Sequence, residues 1–591
     1  MSKQNPQNQR NMMLALLLVG VLLFGWDSAI RYFYPNANKP KPVASATPTP
    51  AAVKPTREGG LGDAMDKSVE AADLKTQLSR PRVAIEAPGL VGSINLAGGV
   101  VDDLSLPRYK ATIEKNSENV RLYSPVGTPA QHFAQVGWVN APAGVAIPDG
   151  NTVWTAPAGL KLTPTSPVTL TWANTTGQTF TLTYAIDADY MITVTQKVAN
   201  ASAAPLKIQP FALINRTSKT ASVRSWNLHS GPFDSLDGSV KFGPQYSDVD
   251  KAGTSNLEGT ADWLGFTDIY WMSVLAPVNA QGTTTDFRAL GNELYRADLV
   301  YPAQTVAPGT AVSTVTRIIA GAKENAVLDK YEAQGVNKFS YSIDWGWFWF
   351  FEKPIFLLLR TLFHLVGNFG VAIMLLTAIV RGIMFPVAQR GFASMAAMRA
   401  IQPKVKALQE RYKDDKPKLQ EETMKLYKEE GVNPLAGCLP MFLQIPVFFA
   451  LYKVLMVSID MRHQPFVLWI RDLSSPDPLH ILNLFGLLPF DPPSLLSIGV
   501  LGVILGCTMW LQFKLQPPAA DPAQQQMMSI MPWMMMFVMS PFASGLLIYW
   551  ITSNLLTVAQ QKYLYSRHPQ LKAQAVKDAE DRKRAAERNA K

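Results

Sequence analysis

The sequence predicts a multi-domain membrane protein: an α-helical domain of six spans with a helical cytoplasmic hairpin, and a large antiparallel β domain outside the membrane. Three observations predict it. Composition is split: hydrophobic residues make up 48% of the chain and charged residues only 17%, and the apolar runs gather in the first 30 positions and after Trp345. Residues 80–335 instead alternate apolar with polar positions, punctuated by Gly, Pro, Asn and Asp, as short antiparallel strands do. Lys and Arg crowd beside particular apolar runs, the positive-inside pattern. The net charge of +10 is therefore a membrane feature, and no nucleic-acid binding is expected.

In chain order, Lys3 and Arg10 precede an apolar run over 12–26, and Asp27 and Arg31 follow it. The nearest small-residue cleavage site, Asp27-Ser28-Ala29, is poor. Residues 1–30 thus read as an uncleaved signal anchor with its N-terminus inside, rather than a cleaved signal peptide. Residues 31–79 read as a flexible linker, because Pro40, Pro42, Pro48, Pro50 and Pro55 favour an extended chain. Over 80–335 the alternation is clearest at 169–172, 180–184 and 190–194. About 250 residues of it suggest one large β-sandwich. Its only histidines, His132 and His229, have no neighbours at metal-ligand spacing, and Asp187 and Asp189 read as solvated edge carboxylates. No catalytic set, metal or cofactor is expected there. A helical pattern over 323–334 closes the domain, with Gly335 as its C-cap.

The stretch 344–351, DWGWFWFF, suits the headgroup level, where aromatic belts sit. From 355 to 387 a single helix would run about 50 Å, too long for one crossing of a ~30 Å core. Residues 340–364 are therefore expected to form an interfacial amphipathic helix, with Pro354 at its start and Arg360 as its polar mark, and 365–387 to dive into the bilayer. One tilted helix is the alternative. Residues 389–433 hold ten Lys/Arg and seven Asp/Glu and read as a cytoplasmic hairpin. Asp414-Asp415-Lys416-Pro417 divides its arms, Pro403 kinks or bounds the first, and Gly431 and Pro434 stop the second. Further spans are expected at 435–459, 495–511, 527–539 and 542–558. The loop 460–491 has only Arg462 and Arg471 as strong cations, which places it outside. The tail 562–591, with nine Lys/Arg against four Asp/Glu, is a basic cytoplasmic tail. Both termini are then cytoplasmic and residues 31–364 lie outside. Cys438 and Cys507, the only cysteines, fall in apolar spans and build no disulfide framework.

The costly residue is Arg381, near the inner end of the 365–387 span. An arginine at mid-span costs about 2.5–3.5 kcal/mol. Thr377, one turn earlier, shares its face, which Met374 and Gly370 continue. Either Arg381 snorkels to the headgroups, or it faces a wet cavity inside the membrane. The last span carries Tyr549, Ser553, Thr557 and Gln560 on one face, flanked by Trp550, Asn554 and Gln561. Ordinary interhelical hydrogen bonds, worth about 0.6 kcal/mol each, would account for such groups singly. Together with Arg381, Thr377 and Gln444 they are better explained by a shared hydrophilic groove. The seven methionines of 527–539 suit adaptable hydrophobic contact or plain lipid-facing filler. No phosphate loop or HExxH helix occurs and no intramembrane carboxylate pairs with Arg381, so neither hydrolysis nor ion coupling has visible machinery.

The segments TAIVRGIMFP (377–386), GVNPLAGCLPMFLQIPVFFALY (431–452) and PFASGLLIYWITSNLLTVAQQ (541–561) resemble the membrane protein insertases of the YidC/Oxa/Alb family. So do MRAIQPKVKALQERYKDDKPKLQEE (398–422) and, in the β domain, GFTDIYWM (265–272). The resemblance runs nearly the full chain and is weakest over 30–80 and the tail. It implies an insertase and chaperone without chemical catalysis, in the inner membrane of a Gram-negative cell. The β domain would be a periplasmic β-supersandwich similar in shape to sugar mutarotases. Five spans of 365–561 would form the insertase core, with a cytoplasm-open hydrophilic groove centred on Arg381. Thr377 and the pair Tyr549–Trp550 would be its neighbours; Trp550 departs from the tyrosine frequent at that position. The implied partners are nascent membrane proteins, the Sec translocon, the lipid bilayer, and the ribosome through the basic tail and hairpin. A multi-pass transporter or channel with a periplasmic binding domain is the runner-up. A membrane-anchored carbohydrate-active enzyme is the third class and lacks an acid/base pair.

Overall fold

The structure is a computed structural model. It describes residues 74–567 apart from 158, 223–227, 347–348, 413–414, 432–438, 486, 489, 491–496 and 516–521. The expected signal anchor, all of the linker before residue 74, the tail beyond residue 567, and Trp347, Phe348, Pro434 and Cys438 lie outside the described residues.

After a short helix α1 (Leu74–Leu78) come the strands β1 (Arg82–Glu86), β2 (Val91–Asn95), β3 (Val100–Lys110), β4 (Asn119–Tyr123), β5 (His132–Val139), β6 (Val168–Ala173), β7 (Gln178–Ile186), β8 (Met191–Asn200) and β9 (Leu206–Thr217). Then follow β10 (Gly231–Leu236), β11 (Ser239–Phe242), helix α2 (Tyr246–Ala252), β12 (Thr254–Leu257), β13 (Ala261–Thr267), β14 (Trp271–Pro277), β15 (Thr284–Gly291), β16 (Leu294–Val300), β17 (Gln304–Val306) and β18 (Thr310–Ala322). Helix α3 (Asn325–Ala333) ends the domain, with Gly335 at φ +88°.

The strands pair antiparallel into two sheets, a β-sandwich. One has ten strands, in the order β1-β2-β3-β5-β9-β16-β15-β12 with β4 on β3 and β17 on β9; the other has eight, β11-β10-β13-β14-β18-β8-β7-β6. Alternation fixes the register, because a one-residue slip would turn each apolar side chain outward. On β7 the buried Phe180, Leu182, Tyr184 and Ile186 alternate with threonines and Ala185, and Phe180 lies opposite Val198, Tyr184 opposite Val194. The core between the sheets holds the large buried rings Trp138, Trp263, Phe180, Phe233 and Phe266.

Two carboxylates expected at a solvated edge are structural instead. Asp187 accepts from the backbone of Asp189 and Met191 and from the Tyr331 hydroxyl at 2.9 Å. Asp189 pairs with Arg108 at 2.8 Å and with Lys330 at 2.7 Å. Burial alone would raise the Asp189 pKa, but hydrogen bonds from Lys330 and Arg108 bring it below the usual carboxylate range. The pair fastens α3 to the β7–β8 turn, a long-range contact that alternation cannot reveal.

The rest is helical: α4 (Trp349–Val366), α5 (Phe369–Ile383), α6 (Phe385–Arg411), α7 (Lys416–Glu429), α8 (Leu439–Val457), α9 (Val500–Leu515), α10 (Pro522–Met539) and α11 (Ser544–Arg567). The stretch 365–387, expected as one crossing, is broken at both ends. Gly367 at φ +68° closes α4, a conformation that favours glycine, and the Asn368 side chain caps α5 by accepting from Val371 N. Met384 caps the far end, and Pro386 starts α6 where its missing N–H costs nothing. The 15 residues of α5 span about 22 Å. Among the described residues no helix is long and apolar enough to cross a membrane on its own. Pro403 does not bound the first hairpin arm, since α6 runs through it; the second arm starts at Asp415, whose side chain accepts from Lys418 N.

Gly370 lies directly beneath the Phe466 ring, where a Cβ would overlap it, so the loop after α8 rests on the start of α5. Lys453 of α8, only 5% exposed, pairs with Asp344 at 2.9 Å. The Arg462 guanidinium donates to the carbonyls of Lys110 and Ala111 at 2.8 and 3.0 Å and stacks 5.3 Å from the Trp271 ring. These contacts join the β domain to the helices.

Candidate functional site

Helix α11 organises the candidate site. Its polar residues recur about every four positions, so they line one side of the helix. Tyr549, Ser553, Asn554, Thr557 and Gln561 are all buried, while Leu555 on the opposite side is 50% exposed. The buried line closes on Gln561; Gln560, the position expected from the sequence, is only half-buried. At 3.6 residues per turn each step of four overshoots a full turn by about 40°, so the buried line winds slowly around the helix and reaches Gln561 rather than Gln560.

Three residues of α11 reach three different helices. Arg381 of α5 donates to the Ser553 hydroxyl through Nε at 3.2 Å and again through a terminal nitrogen. Gln444 of α8 donates its amide to the Tyr549 hydroxyl. Asn554 donates to Thr508 of α9 at 3.2 Å. Thr557 bonds within its own helix, to the Ser553 carbonyl at 2.7 Å. Thr377 is buried, yet its hydroxyl turns back to the Ile373 carbonyl at 2.6 Å instead of toward Arg381. Trp550 packs against Phe448, ring centroids 5.1 Å apart, and contributes surface without a described polar bond.

The electrostatics follow from this list. Among the described residues no carboxylate lies within ion-pair distance of Arg381, and its described hydrogen bonds all go to one neutral hydroxyl. The Gln444 Oε1 is buried without a partner, as are Oε1 of Gln560 and Gln561. Buried polar atoms normally find partners, so this surface keeps unspent hydrogen-bonding capacity beside a cation. Among the described residues it has no nucleophile–base pair for bond chemistry.

Two families match the chain. The one described as 60Kd inner membrane protein matches residues 361–572, and the one described as YidC periplasmic domain matches residues 82–358. The protein named "Membrane protein insertase YidC" of Zymomonas mobilis is 42% identical over 99% of this chain and 100% of its own length. The chain belongs to the YidC family. The protein of the same name from Beijerinckia indica is 43% identical over 95% of this chain and 96% of its own. A solved structure of an active YidC insertase with its first transmembrane domain resolved covers 82% of this chain and 94% of its own, at 17% identity and TM-score 0.34.

In this YidC chain, Thr508 is the site residue that sequence reasoning missed. It is a lone threonine in an apolar helix, and only the fold brings it to Asn554. The Asp344–Lys453 pair was equally hidden, since its members lie 109 positions apart.

Proposed function

We propose that the chain inserts membrane proteins into the bilayer, and that α5, α8, α9 and α11 form a hydrophilic groove, open to the cytoplasm, in which Arg381 receives the polar flank of the incoming segment. The observation that carries this reading is the bond from Arg381 to Ser553 with no carboxylate in ion-pair distance among the described residues. An arginine paired with a carboxylate would be spent on structure; one held by a hydroxyl keeps its charge available. Wetting the groove shortens the low-dielectric path that polar groups must cross. The adjoining apolar segment then partitions into lipid, gaining about 25 cal/mol per Å2 of apolar surface removed from water. Function is insertion, with no covalent step.

Membrane placement is part of the same proposal. Helices α5, α9 and α10 expose Leu375, Ile379, Ile383, Trp510, Leu511, Trp533, Phe537 and Val538, and exposed apolar side chains gathered in this way mark a membrane or partner contact. In this reading α5 crosses together with the first turns of α6, past the break at Met384. With the anchor in 1–30, this gives six spans, both termini cytoplasmic, and the β domain in the periplasm. Cooperation with the Sec translocon, and ribosome contact through the hairpin and basic tail, belong to the proposal too.

The test is reconstitution. The purified full chain in liposomes free of other proteins should insert a small membrane protein made in a cell-free reaction, scored by a protease-protected fragment. A protected fragment no more abundant than in empty liposomes refutes the reading. Substrate flux without insertion would favour a transporter.

A further inference from the structure

A cavity of about 410 Å3 lies where the β domain, α4 and the loop after α8 meet, lined by Lys110, Arg360, Phe363, His364, Asp460 and Arg462 among others. Its cations are under-neutralised. Among the described residues Lys110 bonds only the neutral amide oxygen of Asn119, at 2.9 Å. Arg462 bonds two main-chain carbonyls. Arg360 makes no hydrogen bond or ion pair among the described residues, and none of the three has a carboxylate within ion-pair distance there. A fourth cation, Arg108, is already committed to Asp189 and Glu324.

The one carboxylate in the lining proper, Asp460, is only a partial counterweight. Burial raises its pKa, while Arg360 and His364 pull it back down. The site thus sets three cations against one carboxylate.

The surroundings point to an amphiphile. The floor of the cavity is apolar: Phe363 and Phe369 stack with centroids 3.8 Å apart. Beside it, the outer side of α4 exposes Leu357 at 60%, Leu365 at 76% and Val366 at 39%. Leu357, Thr361 and Leu365 recur every four residues, so they form one continuous stripe along the helix. A basic pocket on the same helix that exposes these apolar side chains matches a phosphate headgroup followed by acyl chains.

We propose that this cavity binds the phosphodiester headgroup of an anionic phospholipid of the outer leaflet, held by Arg360, Lys110 and the free Nε side of Arg462, with its chains along Leu357, Leu365 and Val366. Guanidinium groups suit phosphate because they offer paired donors in one plane. The inference rests on the membrane placement proposed above. It assigns the cavity a second role: a lipid wedged between three elements would fix the height of the β domain over the bilayer.

The experiment is native mass spectrometry of the full chain from micelles containing equal phosphatidylglycerol and phosphatidylcholine. Phosphatidylglycerol should be retained in preference. R360Q and, separately, the surface variant K110Q should each weaken that preference, by about tenfold for R360Q, the loss of one charge-assisted contact. K197Q, an exposed cation on β8 far from the cavity, should not. Equal retention of both lipids, or an unchanged preference in both R360Q and K110Q, overturns the proposal. Glycerol phosphate supplied without lipid should bind far more weakly; binding as tight as the lipid's makes the ligand a soluble phosphate ester and overturns the lipid assignment. Insertion is measured alongside: an unmodified chain that inserts but retains both lipids equally sinks this inference alone, whereas no insertion by the unmodified chain sinks the proposed function.

Discussion

Replacing Arg381 by methionine separates a functional charge from a structural one. The cost of holding an arginine within a span is about 2.5–3.5 kcal/mol. The structure offsets that with hydrogen bonds to one acceptor, Ser553, and bonds of this charged type return about 1.5–3 kcal/mol. The two nearly cancel, leaving Arg381 neutral to destabilising by about 2 kcal/mol. Methionine keeps most of the volume and removes the charge, and the freed Ser553 hydroxyl can turn back to its own helix, as Thr557 already does. R381M should therefore leave thermal unfolding in detergent unchanged or shift it upward. Insertion in proteoliposomes should fall by about tenfold or more, since a lost charge-assisted contact is worth at least about 1.4 kcal/mol. R381K, which keeps charge but not the fork of donors, should fall between. The reasoning is refuted if R381M unfolds at much lower temperature, which would make the arginine structural, or if it inserts as well as the parent.

Three further outcomes follow from the same contacts. Y549F strips the half-buried Gln444 amide of its acceptor and should cost about 1–3 kcal/mol, whereas Y549F with Q444M should return to within about 1 kcal/mol of the parent, measured by denaturant titration in micelles. D344N removes the carboxylate that pairs with the buried Lys453 ammonium and should cost up to about 3 kcal/mol; adding K453M should recover most of it in the same assay. Asp234 gives a pH-dependent case: burial pushes its carboxyl up to about 7, against a weaker pull from Lys241. The folded state then binds the extra proton between about pH 4 and 7, so stability falls as pH rises through that window. D234N should stabilise the β domain by about 2–4 kcal/mol at pH 8 and make little difference near pH 4.

The β domain was legible because its cause is local. Alternation such as Phe180, Leu182 and Tyr184 decides which face is buried, and each strand reports it within a few residues. Which strand joins which sheet was not legible, since β9 pairs with β5 and β16 for reasons of global packing. The helices were visible as apolar runs, but their ends depend on single backbone positions. Gly367 and Met384 cut the 365–387 stretch, and hydropathy averages over such points. At the site, Arg381 stood out because a charge in an apolar run is costly, and α11 stood out because its polar residues are periodic. Their partners did not: Ser553 could be assigned to Arg381, and Thr508 to Asn554, only after folding. Asp187 and Asp189 show the same limit from the other side, since their cations come from Arg108, 81 positions before Asp189, and Lys330, 141 after it.

The central claim is that a client passes through the α5–α8–α11 groove beside Arg381, and site-specific crosslinking tests it most directly. A photoreactive phenylalanine analogue at position 549 keeps the aromatic ring next to Gln444. Illumination during arrested synthesis of a small membrane protein should yield adducts to the client's polar flank, and the same analogue at Leu555, on the exposed side of α11, should yield few. Adducts at 555 with none at 549 would contradict the account.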